Sequence, residues 1–103
     1  MSVMEKSRPH YSLSEVQAIV AERGALALTQ TALLNAARMG LSAQDVCALV
    51  VGMTRSMFFK SMTTHTDHRV WQDVYHVPCP PARLAYVKVT LQPGAVVIQF
   101  KEK

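Results

Sequence analysis

Residues 58–78, with the sequence FFKSMTTHTDHRVWQDVYHVP, combine strand-forming residues with a dense set of chemically active side chains. The stretch contains two cationic side chains, three histidines, two aspartates, a glutamine and a tyrosine. Histidine titrates near neutral pH and can transfer protons, while lysine and arginine stabilise negative charge. The stretch therefore has the groups needed for proton transfer and for binding an anionic group.

The segment HTDH permits two chemical interpretations. His65 or His68 could act as a general base, since histidine as a residue type is suited to proton transfer near neutral pH. His65, Asp67 and His68 also resemble half of a metal site, but no further cysteine or histidine stands at ligand spacing. We therefore expect a solvated loop without a metal. Cys47 and Cys79 are expected to be free thiols, because two isolated cysteines give no disulfide framework.

The chain has 103 residues and a formal net charge of +4, and all of the excess positive charge lies in its second half. Up to residue 54, four basic side chains balance four acidic ones, and from residue 55 onward seven basic side chains face three acidic ones. This asymmetry favours a polyanionic partner, of which nucleic acid is the usual one. A basic surface that serves only solubility is an equally weighted alternative.

The length is about that of one domain and no low-complexity segment divides it, so we predict a single domain over residues 1–103. The longest apolar run, residues 46–53, is far shorter than the roughly 20 residues of a membrane-spanning helix. The start of the sequence lacks the apolar segment of a signal peptide. We therefore expect a cytoplasmic protein without a membrane partner.

Three short helices are predicted in the first half, at residues 12–24, 29–40 and 42–52. Each begins with a serine or threonine and ends at a glycine, which are residues that cap helix starts and ends. In the first helix, Ser12 and Glu15 have the spacing of a capping box. Apolar residues at helical spacing predict the buried faces, and in the second helix this face consists of Leu33, Leu34 and Ala37.

In the second half the apolar period changes from 3.6 to 2, which predicts strands at residues 58–63, 70–77, 84–91 and 95–101. Short polar or proline-rich links separate them, so an antiparallel meander is the simplest arrangement. The QPG link is expected to form a loop slightly longer than a two-residue hairpin. The predicted fold class is α+β in two layers, with the three helices on one face of a sheet of about four strands.

Alternation along the last two predicted strands separates an apolar face from a polar one. The apolar faces are expected to pack on the helices. If the two strands pair, the opposite faces bring together Tyr86, Lys88, Gln99 and Lys101. For the strand at 70–77, alternation leaves open which of its faces joins this surface. An ordinary solvated sheet face explains these residues equally well.

Three segments carry a family resemblance: KSMTTHTDHRVWQDVY at 60–75, YVKVT at 86–90 and FKEK at 100–103. Together they closely resemble the MqsR family, the motility quorum-sensing regulators, and the resemblance covers nearly the whole chain from Glu5 onward. The proline-rich segment 76–84 looks longer than the usual family loop.

This resemblance implies a RelE-like fold and the toxin of a toxin–antitoxin pair, an endoribonuclease that cleaves messenger RNA at GC-containing triplets such as GCU. It also implies that the enzyme needs no metal or other cofactor. The implied partner is a cognate antitoxin that neutralises the toxin and is MqsA-like, zinc-binding and of the helix-turn-helix type.

The resemblance assigns catalysis to four residues: Lys60, Gln72, Tyr86 and Lys101. Cleavage of RNA without a metal requires deprotonation of a 2′-hydroxyl, protonation of the leaving 5′-oxygen and stabilisation of phosphoryl charge. The two lysines can stabilise that charge, the phenol can transfer a proton, and the glutamine can orient the phosphate or a base. His65 or His68 is the alternative base. We also expect RNA contacts from Lys88, His68, Arg69 and Gln99.

Two other functional classes are open. Three helices followed by strands could be a winged-helix DNA-binding regulator, but its third helix would have to read DNA. That helix, AQDVCALVVGM, contains no lysine or arginine. A non-catalytic module whose basic sheet binds RNA or a protein is the other alternative, and purified protein that leaves RNA intact at stoichiometric amounts would favour it.

Overall fold

The computed structural model describes residues 3–93 and 95–103, which form three α-helices and five strands. In chain order their bounds are β1 Glu5–Lys6, α1 Leu13–Arg23, α2 Gln30–Arg38, α3 Ala43–Val51, β2 Phe58–Thr63, β3 Trp71–Cys79, β4 Arg83–Gln92 and β5 Ala95–Glu102. Two short 3-10 helices, Gly24–Ala27 and Arg55–Met57, connect α1 to α2 and α3 to β2.

Polar side chains cap the starts of all three α-helices, with Thr29 at α2. At α1, Ser12 accepts a hydrogen bond from the backbone N–H of Glu15 at 3.3 Å. At α3, Ser42 accepts from the backbone N–H of Asp45 at 3.0 Å, and the Asp45 carboxylate accepts from the N–H of Ser42 at 2.9 Å. The complete capping box therefore lies at α3, where both partners satisfy free backbone groups.

α2 packs through small side chains rather than through the predicted leucine face. Ala32 and Ala36 are buried, whereas Leu34 is 58% exposed, Ala37 is exposed and Leu33 is only partly buried. The predicted buried face was therefore largely wrong. The physical reason is that α2 lies against β5, and methyl side chains allow the helix to come close to the strand.

The five strands form one antiparallel sheet in the order β1-β2-β3-β4-β5. The four longer strands contain most of the residues predicted as strands. β1 was not predicted: Glu5 and Lys6 pair with Met62 and Ser61 of β2. Two residues are too few to show alternation. The sheet in the described part of the chain therefore has five strands rather than about four.

The helices cover one face of the sheet and share a core with it. The buried side chains of this core include Val16, Val20, Val46 and Val50 from the helices and Val87, Val89, Ile98 and Phe100 from the sheet. The opposite face is left open, as is common for antiparallel sheets. This layout agrees with the predicted two-layer α+β class. None of the helices in residues 3–93 and 95–103 has the length and apolarity to cross a membrane.

The proline-rich segment is part of a hairpin and not a long loop. β3 continues through Pro78 to Cys79, which pairs with Arg83 at the start of β4, so the link consists of residues 80–82. Pro78 is tolerated because the pairing of β2 with β3 reaches only to Tyr75, which leaves the outer edge of β3 free at the proline.

The link between β4 and β5 is shorter than expected. Gln92 and Ala95 pair directly, so two residues separate the strands and the longer loop predicted at QPG was wrong. Gly94, on which that prediction depended, lies outside the described residues.

A buried carboxylate holds the segment that precedes α1. Asp73 on β3 is 1% exposed, and its side chain accepts hydrogen bonds from the backbone N–H of His10 at 2.9 Å and of Tyr11 at 2.8 Å. The hydroxyl of Tyr11 donates to the carbonyl of Trp71 at 2.8 Å. These bonds fix the N-terminal segment on β3.

Asp73→Asn is expected to lower the free energy of unfolding by about 1–3 kcal/mol, because hydrogen bonds to a charged acceptor are replaced by bonds to a neutral one and an amide NH2 group replaces one of the two accepting oxygens. Glu22→Gln, on the exposed side of α1, is the control and should change stability by less than about 0.5 kcal/mol. Urea denaturation measures both. An Asp73→Asn protein as stable as the wild type would show that the carboxylate is dispensable.

Candidate active site

The open face of the sheet carries all four residues to which the resemblance assigned catalysis. The strand register places Lys60, Gln72, Tyr86 and Lys101 on the side opposite the helices. Tyr86 and Lys101 are direct partners across β4 and β5. Together with Lys88, three of the four line one cavity of about 240 Å³, which Gln72 does not line. The structure thus brings Lys60, Tyr86 and Lys101 together.

Lys60 lies on the open face in alternation with Met62, and a β-bulge in β2 directly precedes it. The pairing of β2 with β3 shifts between Phe58, which pairs with Tyr75, and Lys60, which pairs with Val74. The extra residue, Phe59, interrupts the alternation. As a result, Phe59 and Lys60 both line the cavity on the open face although they are consecutive.

The ammonium group of Lys60 already contacts a carboxylate. Its Nζ lies 2.7 Å from Oε2 of Glu5, which β1 places beside β2. The two side chains are 30% and 52% exposed, so water screens the pair and its net stabilisation is small. A phosphate group of a ligand can therefore take the place of Glu5 at this ammonium group.

An imidazole that was not singled out from the sequence lies beside Tyr86. His76 is the partner of Tyr86 across β3 and β4, and the two ring centroids are 5.0 Å apart in an edge-on arrangement. Burial and then the positive charge of Lys103 lower the pKa of His76 below its ordinary value. The imidazole is therefore neutral near pH 7.

Gln72 lies beside the cavity rather than in its lining. It pairs with Met62 and is 9% exposed. It is two residues along β3 from Val74, which pairs with both Lys60 and Lys88, and this spacing corresponds to about 7 Å. The structure therefore places Gln72 on the same face as the other three residues but not in their cavity.

A second cavity adjoins the first at the edge of β5. It has a volume of about 310 Å³ and lies where α2 meets β4 and β5. Tyr86, Lys88 and Lys101 line both cavities, and Gln99 lines the second. The two cavities therefore form one groove, hereafter the basic groove, and Lys60, Lys88 and Lys101 supply its positive charge.

His68 and Arg69 lie outside the basic groove. They belong to the loop between β2 and β3, and Val70 at its end is six residues along β3 from His76, or about 20 Å. Arg69 contacts Asp67 at 3.1 Å, and its hydrogen bonds to that carboxylate lower the pKa of Asp67. The structure therefore does not bring these two expected RNA contacts to the other site residues.

The same loop holds His65, which is exposed and lies outside the basic groove. The Thr64 hydroxyl accepts a hydrogen bond from the N–H of Asp67 at 3.0 Å, which stabilises the turn. Among residues 3–93 and 95–103, no group of three histidine, cysteine, aspartate or glutamate side chains is placed to hold a metal ion. Neither His65 nor His68 lines a cavity that contains Tyr86.

Comparison with known proteins places nearly the whole chain in one family. The family described as motility quorum-sensing regulator, toxin of MqsA, matches residues 8–102. The chain belongs to the MqsR toxin family. A protein of Escherichia coli (strain K12) named mRNA interferase toxin MqsR is 42% identical over 100 residues, which cover 97% of this chain and 100% of that protein. The resemblance inferred from the sequence is confirmed.

In this MqsR-family chain, three neighbours of the expected site residues were not predicted from the sequence: Glu5, Phe59 and His76. Glu5 depends on β1, and Phe59 depends on a bulge that no residue pattern marks. His76 had a usable signal, because residues 72, 74 and 76 of one strand share a face. Once Gln72 is assigned to the open face, His76 follows.

Proposed function

We propose that this MqsR-family chain is the toxin of a toxin–antitoxin pair, an endoribonuclease that cleaves messenger RNA in the cytoplasm and so inhibits translation and growth. The observation that carries the proposal is the convergence of Lys60, Tyr86, Lys88 and Lys101 on one open cavity. The family match and the name of the E. coli relative support the same reaction class.

The finer parts of the proposal concern the sequence cleaved and the antitoxin. We propose cleavage at GC-containing triplets such as GCU, and neutralisation by a cognate antitoxin that is MqsA-like, zinc-binding and of the helix-turn-helix type. The family description, which names a toxin of MqsA, supports an antitoxin partner of this kind.

The basic groove has the groups that cleavage through the ribose 2′-hydroxyl requires. The 2′-oxygen loses its proton and bonds to phosphorus, while the 5′-oxygen leaves and gains a proton, which yields a 2′,3′-cyclic phosphate and a 5′-hydroxyl. Lys60 and Lys101 stabilise the negative charge that builds up on the phosphoryl oxygens. Tyr86 transfers a proton, and Gln72 orients the adjoining phosphate or base.

The expected RNA contacts fall into two regions. Lys88 and Gln99 line the basic groove, so we assign them to nucleotides next to the cleaved bond. His68 and Arg69 can contact only a strand that extends about 20 Å from Tyr86, at strand spacing. They are therefore assigned to a distant part of the same RNA.

Purified protein, separated from its antitoxin, is expected to cleave messenger RNA in the presence of EDTA, because lysine side chains supply the charge stabilisation. Mapping of the product ends should show a 2′,3′-cyclic phosphate or its hydrolysis product. Complete loss of cleavage on chelation, restored by a divalent metal, would contradict the proposal.

The same experiment decides between the enzyme and a non-catalytic binding module. RNA that is bound but stays intact at stoichiometric protein would favour the module. A winged-helix regulator is not supported, because α3 buries Val46 and Val50 in the core and has no lysine or arginine with which to read DNA.

A further inference from the structure

Because of the bulge in β2, Phe59 lies on the open face of the sheet, where simple alternation along the strand would not place it. Phe58 packs on the helix side, with its ring centroid 5.5 Å from that of Tyr75, and Ser61 is fully buried on that side. Phe59 and Lys60, which lie between them, both face the basic groove. Bulges that redirect side chains concentrate next to functional sites.

Phe59 is the outer member of an aromatic row that crosses three strands. Its ring stacks on His76 with centroids 4.3 Å apart and 25° between the planes, and His76 contacts Tyr86. Phe59 nevertheless remains 50% exposed. A single exposed apolar side chain is ordinary on a protein surface. This one differs because a second ring holds it in place within a groove lined by lysines.

We propose that Phe59 is a stacking platform for a nucleobase of the RNA, next to the phosphate that Lys60 binds. The inference rests on the proposed function, which supplies the class of ligand. The Nζ of Lys60 is 5.4 Å from the centroid of the Phe59 ring, so a phosphate at this ammonium group leaves the adjoining nucleoside beside the ring. The bases of single-stranded RNA are free to stack on exposed aromatic rings.

The charges around the ring fit RNA better than an apolar protein segment. The three lysines of the basic groove share its cavity with Phe59. The imidazole beneath the ring is neutral, because burial and Lys103 lower the pKa of His76. An RNA strand alternates phosphates with bases and so satisfies both the lysines and the ring. An apolar protein segment would cover the ring and leave the ammonium groups without partners.

The contribution of stacking can be measured apart from catalysis as the affinity for an RNA strand that cannot be cleaved. One probe is a single-stranded 2′-O-methyl RNA, and the other is a strand of the same length and backbone that lacks its bases. Fluorescence anisotropy gives the Kd of each for the wild type, Phe59→Leu, Phe59→Trp and the control Leu26→Ala. Leu26 is 84% exposed in the 3-10 helix after α1 and lines neither cavity of the groove.

Phe59→Leu is expected to bind the base-containing strand about 5- to 150-fold more weakly, the usual effect of losing one base–aromatic stack. Phe59→Trp should retain the affinity because it retains a stacking ring, and Leu26→Ala should match the wild type. On the strand without bases, wild type and Phe59→Leu should bind alike.

Equal affinity of wild type and Phe59→Leu for the base-containing strand, or an equal loss on both strands, would overturn the inference. So would a loss confined to binding of the purified cognate antitoxin, which would assign Phe59 to a protein contact. The two proposals can also fail separately. If Phe59→Leu weakens binding of the base-containing strand alone but the wild type leaves unmodified RNA intact, the stacking platform stands and the proposed enzyme is refuted.

Discussion

Tyr86→Phe is expected to lower the rate of RNA cleavage by about 100- to 10,000-fold, because it removes the hydroxyl that transfers a proton. The aromatic ring is retained, and its contact with His76, at 5.0 Å between centroids, does not need the hydroxyl. The thermal midpoint should therefore stay that of the wild type. Single-turnover cleavage and thermal unfolding, measured on the same preparation, give both quantities.

Tyr11→Phe is the matched control for that substitution. The Tyr11 hydroxyl donates to the carbonyl of Trp71 at 2.8 Å, and Tyr11 packs against the core on the helix side. Its loss should lower stability by about 0.5–1.5 kcal/mol and leave the cleavage rate unchanged at temperatures well below the midpoint. Near-normal cleavage by Tyr86→Phe would show that the Tyr86 hydroxyl transfers no proton and that the ring only packs.

Lys101→Gln is expected to lower kcat by about 100- to 1,000-fold, the usual effect of removing one group that stabilises charge in the transition state. Because that charge is largest in the transition state, KM should change much less than kcat. Lys101 is exposed at the end of β5, so stability should change by less than about 0.5 kcal/mol. Steady-state kinetics on a short RNA substrate separates the two constants.

Arg23→Gln removes the same amount of charge from the end of α1, in the helix layer. It controls for long-range attraction between the basic chain and RNA, which depends on net charge and is weakened by salt. Cleavage by Arg23→Gln is expected to match that by the wild type. Equal losses in both variants, each reversed by lowering the salt concentration, would show that Lys101 acts only through net charge.

The helices and the four long strands could be predicted because their signals are local. Serine and threonine caps mark the helix starts, and alternation marks the strands. β1 could not be predicted, since its two residues become a strand only by pairing with β2. The buried face of α2 depends on how closely the helix approaches β5. Leu34 lies on the face opposite to Ala32 and Ala36, and hydrophobicity alone favoured the leucine face, although the small alanine side chains are the ones that are buried.

The candidate site was predictable to a different degree for each residue. Tyr86 and Lys101 fall on the open face by alternation alone. The sequence left open which face of β2 joins this surface, so only the family resemblance could identify Lys60. Phe59 depends on the bulge in β2, whereas His76 was accessible from the alternation of β3. Bulges and short edge strands arise from pairing between distant segments, which a local pattern does not show.

The most direct test of the account is single-turnover cleavage of one messenger RNA at saturating protein, with the product ends mapped. The wild type is compared with Tyr86→Phe and with a His65→Ala, His68→Ala double variant of the loop. We expect the same ends at the same rate for the wild type and the loop variant, and nearly complete loss of cleavage for Tyr86→Phe. Cleavage lost in the loop variant and retained in Tyr86→Phe would contradict it, because the chemistry would then lie outside the basic groove.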